Sequence, residues 1–229
     1  SARSEVIGLK ENSNGKTGTV YVRSQGSNQT GEDVLSFVRW VMVRKRNESA
    51  PEAVVPALAD HVPPADLGKA CPPIHLNGWD DGLSGSPHHW GDYEEGERID
   101  HVDGMTVEDS EHMLATRLYQ NTAKVHFNQF AEKDGRFGRR LVYGGHVISL
   151  ARALSFNGLA NAFHVAAING GRHVAPLFAG GTVFAWSEIV EKAALPGRID
   201  VGALRIVTRA TRDLPCTDYP VTEGAVDKP

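Results

Sequence analysis

Two short stretches of the chain carry groups that can transfer protons beside a developing negative charge. The first, residues 121–126 (NTAKVH), ends in His126, whose imidazole changes charge near neutral pH and can act as acid or base. Asn121, at its start, can hold a water molecule or orient that imidazole through its amide. The second, residues 143–153, contains Gly145, whose N–H would lie at a helix start, where unpaired amides and the helix dipole favour negative charge.

Each of these residues also has a purely structural interpretation. His126 is one of ten histidines and could be an ordinary loop residue. Asn121 belongs to a type that caps helices and forms turns, and Gly145 suits entry into a helix on geometric grounds alone. The residue types therefore point to a site without deciding between chemistry and structure.

Composition excludes several classes of partner. The 229 residues include 24 Lys and Arg against 28 Asp and Glu, a net charge of −4, which lacks the basic excess of a nucleic-acid-binding protein. No apolar run reaches the roughly 18 residues of a membrane span. Cys71 and Cys216 lie far apart without CxxC spacing, so we expect a reducing, cytoplasmic setting.

Metal and nucleotide chemistry lack their usual sequence patterns. His88 and His89 have no neighbouring cysteine, and neither HExxH nor paired-cysteine spacing occurs. The glycine pairs at 170–171 and 180–181 lack a phosphate-binding context, and no serine lies in a GxSxG elbow. We expect no metal site and no bound cofactor.

The elements that would position the site are strands and two helices. Residues 5–24 and 31–46 predict a meander of three antiparallel strands, and the Pro-rich residues 47–87 predict a linker. A capping-box pattern at 106–109 predicts a helix to about Arg117. The following elements are a longer helix over 144–163, apolar on most of its circumference, and strands within 163–192 and 199–211.

A weak internal repeat organises these elements. Residues 2–7 match 185–190 at an offset of 183 with three of six positions identical, and residues 18–22 match 202–206 at an offset of 184. Chance agreement between two strand-rich hairpins is the alternative. If the repeat is real, residues 1–46 are the final strands of a first repeat and 88–229 a second, so the chain would be incomplete at both ends.

One long helix wrapped by an antiparallel sheet is the α+β hot-dog fold, and two tandem copies make a double hot-dog. Residues 174–183 resemble the strand that follows the helix in that fold. Residues 36–40, 119–128 and 143–153 resemble MaoC-type hydratases, specifically the mesaconyl-CoA hydratase branch, and the resemblance covers nearly the whole chain. The family motif D-x-N-P-x-H matches residues 121–126 only at its ends, with asparagine in place of the aspartate.

The resemblance implies a hydro-lyase that reversibly adds water to mesaconyl-CoA (2-methylfumaryl-CoA) to give β-methylmalyl-CoA. His126, Asn121 and Gly145 would be catalytic, and Glu111 or Asp100 could replace the absent family aspartate. No cofactor is implied, since the CoA thioester is the substrate, and hot-dog proteins commonly form homo-oligomers. A cation should bind the second carboxylate of the substrate, and the CoA phosphates should meet basic residues. Candidates for the carboxylate are Arg152, His146, Lys124 and Arg172, and those for the phosphates are Arg136, Arg139 and Arg140.

Three alternatives stay open at this point. A related MaoC hydratase would act on a straight-chain enoyl-CoA. A hot-dog thioesterase would cleave the thioester and release free CoA. A noncatalytic acyl-CoA-binding module, having lost the aspartate, would bind without turnover.

Overall fold

The chain was analysed as a computed structural model that describes residues 1–71 and 73–218. It divides into two compact units, the first comprising residues 1–61 and the second beginning at Val62. The division falls inside the predicted linker at 47–87. None of the described helices is long and apolar enough to cross a membrane.

The first unit is the predicted meander. Strands β1 (Ala2–Glu11), β2 (Thr17–Ser27) and β3 (Asp33–Arg44) form an antiparallel sheet in the order β1-β2-β3. The first turn is closed by Asn14, whose Oδ1 accepts the N–H groups of Lys16 and Thr17 at 3.0 Å. Asparagine in such a turn ties its side chain to the backbone two or three residues on, which fixes the strand register.

The second unit combines helices with a three-stranded antiparallel sheet, in the order β4 (Arg98–Thr106), β5 (Thr182–Ala194), β6 (Gly202–Arg212). Its core is the contact between helix α5 (Gly144–Leu154) and strand β5, where Leu150 and Leu154 pack with Val183 and Ala185. A smaller cluster forms around Ile189, Leu159 and Tyr93. The elements are α1 (Pro64–Ala70), α2 (Asp81–Ser84), β4 (Arg98–Thr106), α3 (Asp109–Leu118), α4 (Gln129–Glu132), α5 (Gly144–Leu154), α6 (Phe156–Leu159), β5 (Thr182–Ala194) and β6 (Gly202–Arg212).

Strand register supports the internal repeat. Val6 pairs with Val22 and the ladder then skips to Gly8. Ile189 pairs with Ile206 and the ladder skips to Glu191. The two irregularities therefore fall at positions related by the offset of 183, and the partner strands by the offset of 184. Because a bulge displaces a residue from the ladder at one defined position, its recurrence at equivalent sites is stronger support than three identical residues.

The same equivalence extends to a pair of hydroxyl groups. In the first unit Ser4 Oγ lies 2.8 Å from Ser24 Oγ, and in the second Ser187 Oγ lies 2.8 Å from Thr208 Oγ1. The second unit adds His101, whose Nδ1 donates to the Asn157 carbonyl at 2.7 Å and whose Nε2 meets Ser187 Oγ at 2.8 Å. His101 and Ser187 are both fully buried. Burial lowers the pKa of His101 below its ordinary value, so the neutral ring is favoured.

Several boundaries differ from those predicted. The helix predicted over 144–163 ends at Leu154, because Asn157 and Gly158 leave the helical conformation and the Asn157 amide donates to the His101 carbonyl at 3.0 Å. The strand predicted from 163 begins only at Thr182. The preceding segment lacks strand structure, including residues 174–181, since it contains Pro176 and ends at Gly180 with φ +90°.

Strand β4 was not predicted. Its pairing with β5 is irregular between Asp100 and Gly104, and Val102 within that irregularity has φ +61°. This bulge places His101 in the core and Val102, 72% exposed, in solvent, which reverses the alternation by which strands are recognised. The helix predicted to reach about Arg117 is present as α3, but the capping box predicted at 106–109 is wrong. Thr106 ends β4, and the capping box is formed by Glu108 and Glu111.

Substitution Ser187→Ala tests the buried hydrogen-bond chain. It leaves His101 Nε2 without its partner, so we expect the free energy of unfolding to fall by about 1–3 kcal/mol in urea titrations. Ser4→Ala is the matched control from the equivalent strand; Ser4 is exposed and has no histidine attached, so its effect should stay within about 0.5 kcal/mol. Equal losses from both substitutions would contradict a special role for the His101 bond.

Candidate active site at the start of helix α5

The backbone around His126 fixes both the position and the tautomer of its ring. His126 ends a 3-10 turn, and its Nδ1 donates to the Leu141 carbonyl at 2.9 Å. The Leu141 N–H in turn donates to the Val125 carbonyl at 2.9 Å, which joins the two segments. Because a carbonyl can only accept, Nδ1 carries the proton in the neutral ring and Nε2 keeps its lone pair. The ring is therefore arranged to take a proton through Nε2.

Tyr143 connects His126 to the start of α5. The His126 and Tyr143 ring centroids lie 5.5 Å apart in an edge-on arrangement, and Tyr119 packs on the Tyr143 ring at 6.1 Å. A Cβ atom added to Gly145 would lie 2.6 Å from the Tyr143 ring and 2.8 Å from its hydroxyl oxygen. The phenol thus packs directly on the Gly145 backbone, a close approach that only glycine permits.

His173 occupies the corresponding place beside Gly144. A Cβ atom on Gly144 would lie 2.9 and 3.0 Å from His173 Cε1 and Cδ2, and nearer still to Nε2. Within residues 1–71 and 73–218 the N–H groups of Gly144 and Gly145 donate to no recorded acceptor. Two free amides at a helix N-terminus thus lie beside a phenol and an imidazole, which suits an oxygen that gains negative charge.

A second group of titratable side chains lies between α3 and α5. His112 is 1% exposed, and among the described residues neither of its ring nitrogens has a hydrogen-bond partner. Burial lowers the pKa of His112, and the nearby Arg140, His126 and His146 lower it further. His146 Nε2 lies 3.1 Å from Glu111 Oε1, within ion-pair distance but without hydrogen-bond geometry.

The structure gives Asn121 and Arg152 internal partners. Asn121 Oδ1 accepts the Ala123 N–H at 2.8 Å, which closes a turn ahead of the His126 segment. Arg152 donates from Nη1 to Ser155 Oγ at 2.6 Å and from Nη2 to the Ala162 carbonyl. These contacts stabilise the end of α5 and the irregular segment after it. Lys124 and Arg172, also predicted to bind the substrate carboxylate, are exposed.

The three arginines predicted to meet CoA phosphates differ in their surroundings. Arg140 forms an ion pair with Asp109 at 2.8 Å, and Arg139 donates to the Ala179 carbonyl at 2.6 Å. The Arg136 guanidinium lies 5.0 Å from the Phe137 ring centroid and is exposed. Asp100, one of the two possible replacements for the family aspartate, accepts the Val102 N–H at 2.9 Å in the β4 bulge.

His126, Gly145 and His146 stay predicted site residues, and the sequence did not point to the aromatic and imidazole groups around them. Tyr143 directly precedes the glycine pair, and that adjacency was an available signal. His112 lies on an α3 face that periodicity marks as buried. His173 lies in a segment without regular secondary structure, so spacing gave no indication that it meets Gly144.

The arrangement can transfer protons and hold an oxyanion. Within the described residues no three His, Cys, Asp or Glu side chains are grouped so that they could hold a metal ion. The functional groups at the start of α5 are the free Nε2 of His126, the Tyr143 hydroxyl, the His173 imidazole and two backbone amides. Acid–base chemistry at a polarised carbonyl compound needs such groups.

Comparison with solved structures defines the class as hot-dog, confirming the α+β fold class. The chain superimposes on the crystal structure of a MaoC domain dehydratase from Chloroflexus aurantiacus with a TM-score of 0.92 and 58% identity, covering 100% of this chain and 65% of that one. It also matches Mycobacterium tuberculosis Rv0216, described as a double hot-dog fold, with a TM-score of 0.61, 27% identity, and coverage of 93% and 63%. No family model matches the sequence.

Curated relatives confirm the resemblance more closely. The chain is 61% identical over 226 residues to the β-methylmalyl-CoA dehydratase of Chloroflexus aurantiacus, covering 98% of this chain and 64% of that protein. It is 61% identical over 210 residues to the mesaconyl-CoA hydratase of Cereibacter sphaeroides, covering 90% and 59%. The aligned segment is similar to these relatives and to the MaoC domain dehydratase over nearly its whole length. It spans about three-fifths of the length of these relatives.

Substitution Arg152→Met separates a structural role from substrate binding. The Ala162 carbonyl and Ser155 hydroxyl lose a charged donor, so we expect the free energy of unfolding to fall by about 1–3 kcal/mol with little change in KM. Arg117→Met is the matched control, because Arg117 also lies in the last turn of a helix but is exposed. A large rise in KM with unchanged stability would instead support carboxylate binding.

Proposed function

We propose that the protein containing this chain is a carbon–oxygen lyase that reversibly adds water to mesaconyl-CoA to give β-methylmalyl-CoA. The observation that carries the proposal is 61% identity to both a mesaconyl-CoA hydratase and a β-methylmalyl-CoA dehydratase. The two names describe opposite directions of one reversible reaction. The groups at the start of α5 are of the kind that this chemistry requires.

Hydration of an enoyl thioester begins with polarisation of its carbonyl. The N–H groups of Gly144 and Gly145, with the Tyr143 hydroxyl beside them, would donate to the thioester oxygen. As electron density moves from the double bond to that oxygen, these donors stabilise the charge, and the helix dipole adds to the effect. The α-carbon then becomes basic enough to take a proton.

Water adds at the β-carbon. In this proposal His126 Nε2 takes a proton from the water molecule while its oxygen bonds to the β-carbon. The Nδ1–H donation to the Leu141 carbonyl keeps the ring oriented throughout, because it can persist in the imidazolium. In the reverse direction the protonated His126 gives its proton to the departing hydroxyl.

The remaining expectations belong to the same proposal. The substrate is a freely diffusing acyl-CoA, and the reaction as written needs neither metal nor redox cofactor. We propose a cytoplasmic homo-oligomer, by analogy with hot-dog proteins. Among the predicted cations, exposed Lys124 is better placed to meet a substrate carboxylate than Arg152, whose guanidinium already has internal acceptors.

The activity can be tested on the purified full-length protein that contains this chain, by following loss of the ultraviolet absorbance of the conjugated thioester. Mesaconyl-CoA should lose conjugation without release of free thiol, and crotonyl-CoA should react more slowly. The substitution His126→Ala should lower the rate by about 10²- to 10⁴-fold while the circular dichroism spectrum is preserved. His75→Ala, an exposed histidine outside the site, is the control.

Each other outcome of this assay contradicts the proposal in a recognisable way. Thiol release would indicate a thioesterase. Preference for crotonyl-CoA would indicate a hydratase for straight-chain substrates, and binding without turnover would indicate an acyl-CoA-binding module. A His126→Ala variant with a near-normal rate would remove the central residue of the mechanism.

Replacement of Tyr143 by Phe tests the oxyanion site separately. It removes only the hydroxyl beside Gly145 and keeps the ring contacts with His126 and Tyr119, so kcat should fall roughly 10²- to 10³-fold at unchanged fold. Tyr93→Phe removes a hydroxyl bonded to the Gly158 carbonyl at 2.8 Å, in the smaller core cluster. It should affect stability but leave kcat near the wild-type value, whereas equal kcat values for both variants would contradict the assignment.

A further inference from the structure

The imidazole of His173 contacts Gly144, the first glycine of the pair at the start of α5. Its ring atoms lie so close to Gly144 that a Cβ atom there would overlap them. The side chain is exposed, and no hydrogen bond to its ring is recorded within residues 1–71 and 73–218. An imidazole with that freedom can exchange protons with water between turnovers.

The mechanism derived above lacks a proton donor for the α-carbon. Asn121 holds the position of the family aspartate. Its amide neither gives nor takes a proton near neutral pH, and its side-chain oxygen already closes a turn. His112 is titratable but fully buried, so a substrate cannot reach it. His146 is buried, and its Nε2 faces Glu111 Oε1 at 3.1 Å between α3 and α5. His173 is an exposed imidazole in contact with Gly144, so it can meet a substrate and also carry the proton.

Resting on the hydratase activity proposed above, we propose that His173 is a second catalytic residue, which delivers the proton to the α-carbon while His126 takes the proton from water. The positions of the two histidines relative to the glycine pair support these separate roles. The α-carbon is bonded to the thioester carbonyl, and the oxygen of that carbonyl would lie on the amides of Gly144 and Gly145. His173 contacts Gly144 itself, whereas His126 is separated from the pair by the Tyr143 ring.

The proton and electron balance of the step is complete without another reactant. The water oxygen forms a bond to the β-carbon, and one water proton passes to His126 Nε2. The π electron pair of the double bond takes the proton of the His173 imidazolium and becomes the new α C–H bond. His126 then ends charged and His173 neutral, and exchange with solvent restores both. Dehydration runs through the same transfers in reverse.

Other titratable groups surround these two imidazoles and must be distinguished from them. Tyr143 and Tyr119 contribute phenols on the same side of α5, and His112, His146 and Glu111 lie between α3 and α5. A pH limb in the activity of the unaltered protein can arise from any of them. Each limb of the pH profile is therefore assigned to a residue by finding the variant in which that limb is lost.

The experiment compares pH profiles of kcat/KM for mesaconyl-CoA hydration in the full chain and in His173→Ala. The base must be neutral and the acid protonated, so the unaltered protein should show a bell-shaped profile. His173→Ala should lose about 10²- to 10⁴-fold in kcat, keep its KM, lose the alkaline limb, and recover activity when imidazole is added. His126→Ala should instead lose the acidic limb.

Gly144→Ala is a second route to the same test, because its Cβ would displace the His173 ring without removing it. We expect a loss of kcat similar to that of His173→Ala. Added imidazole should not restore activity, since the new Cβ and the displaced His173 ring fill the space beside Gly144. His75→Ala should behave as the unaltered protein. Folding of each variant is checked by circular dichroism and thermal unfolding.

Failure of the inference can be told apart from failure of the proposed function. If the unaltered chain hydrates mesaconyl-CoA and His173→Ala does so within a few-fold of its rate, or keeps the alkaline limb, the role of His173 is overturned alone. If the unaltered chain adds no water to mesaconyl-CoA, the proposed function is overturned together with the step that rests on it.

Discussion

The close packing of side chains on the Gly144-Gly145 backbone is the constraint on which the site depends. Tyr143 and His173 approach so closely that any Cβ atom would overlap their rings. That approach is what places a hydroxyl and an imidazole beside two unpaired amides. The glycines carry no functional side chain, yet a methyl group at either one would separate the donors from each other. The helix that follows is held to the sheet because Leu150 and Leu154 are buried against β5.

The hydrogen bonds of His101 perform a related task at the other end of α5. His101 links β4, β5 and the segment after α5 through Ser187 and the Asn157 carbonyl. The kink at Asn157 and Gly158 turns the chain away from the helix, and Arg152 donates to the segment beyond it. The central helix is therefore shorter than a simple hydrophobic stripe implies, since polar groups terminate it before the apolar pattern ends.

The features that were predicted from the sequence are those that depend on residues close together in the chain. The meander, helix α3, the start of α5 at the glycine pair and the role of His126 as a candidate all follow from turns, caps and residue type. The offset between the repeats indicated that Val6 and Val22 correspond to Ile189 and Ile206, and in the structure both pairs are strand partners. The assignment of residues 88–229 to a second repeat, with 47–87 as linker, remains a prediction.

Features that depend on long-range contacts were not accessible in that way. Strand β4 contains a bulge that buries His101 and exposes Val102. The alternation of apolar and polar residues is therefore broken there, and the strand could not be predicted from it. Arg152 was predicted to bind the substrate carboxylate, and no local pattern shows that its guanidinium has acceptors at Ser155 and Ala162, beyond the end of α5. The contact of His173 with Gly144 spans a segment without regular structure, and only the folded chain reveals it.

The absence of a carboxylate at position 121 has a consistent physical consequence in this site. Asn121 closes a turn through its side-chain oxygen, a task that an amide performs without adding charge. An aspartate could accept the same Ala123 N–H, but unlike the amide it could also take up and release a proton. Under the proposed mechanism the proton-transfer groups are therefore the imidazoles of His126 and His173, and the oxyanion donors are the Tyr143 hydroxyl and the two glycine amides.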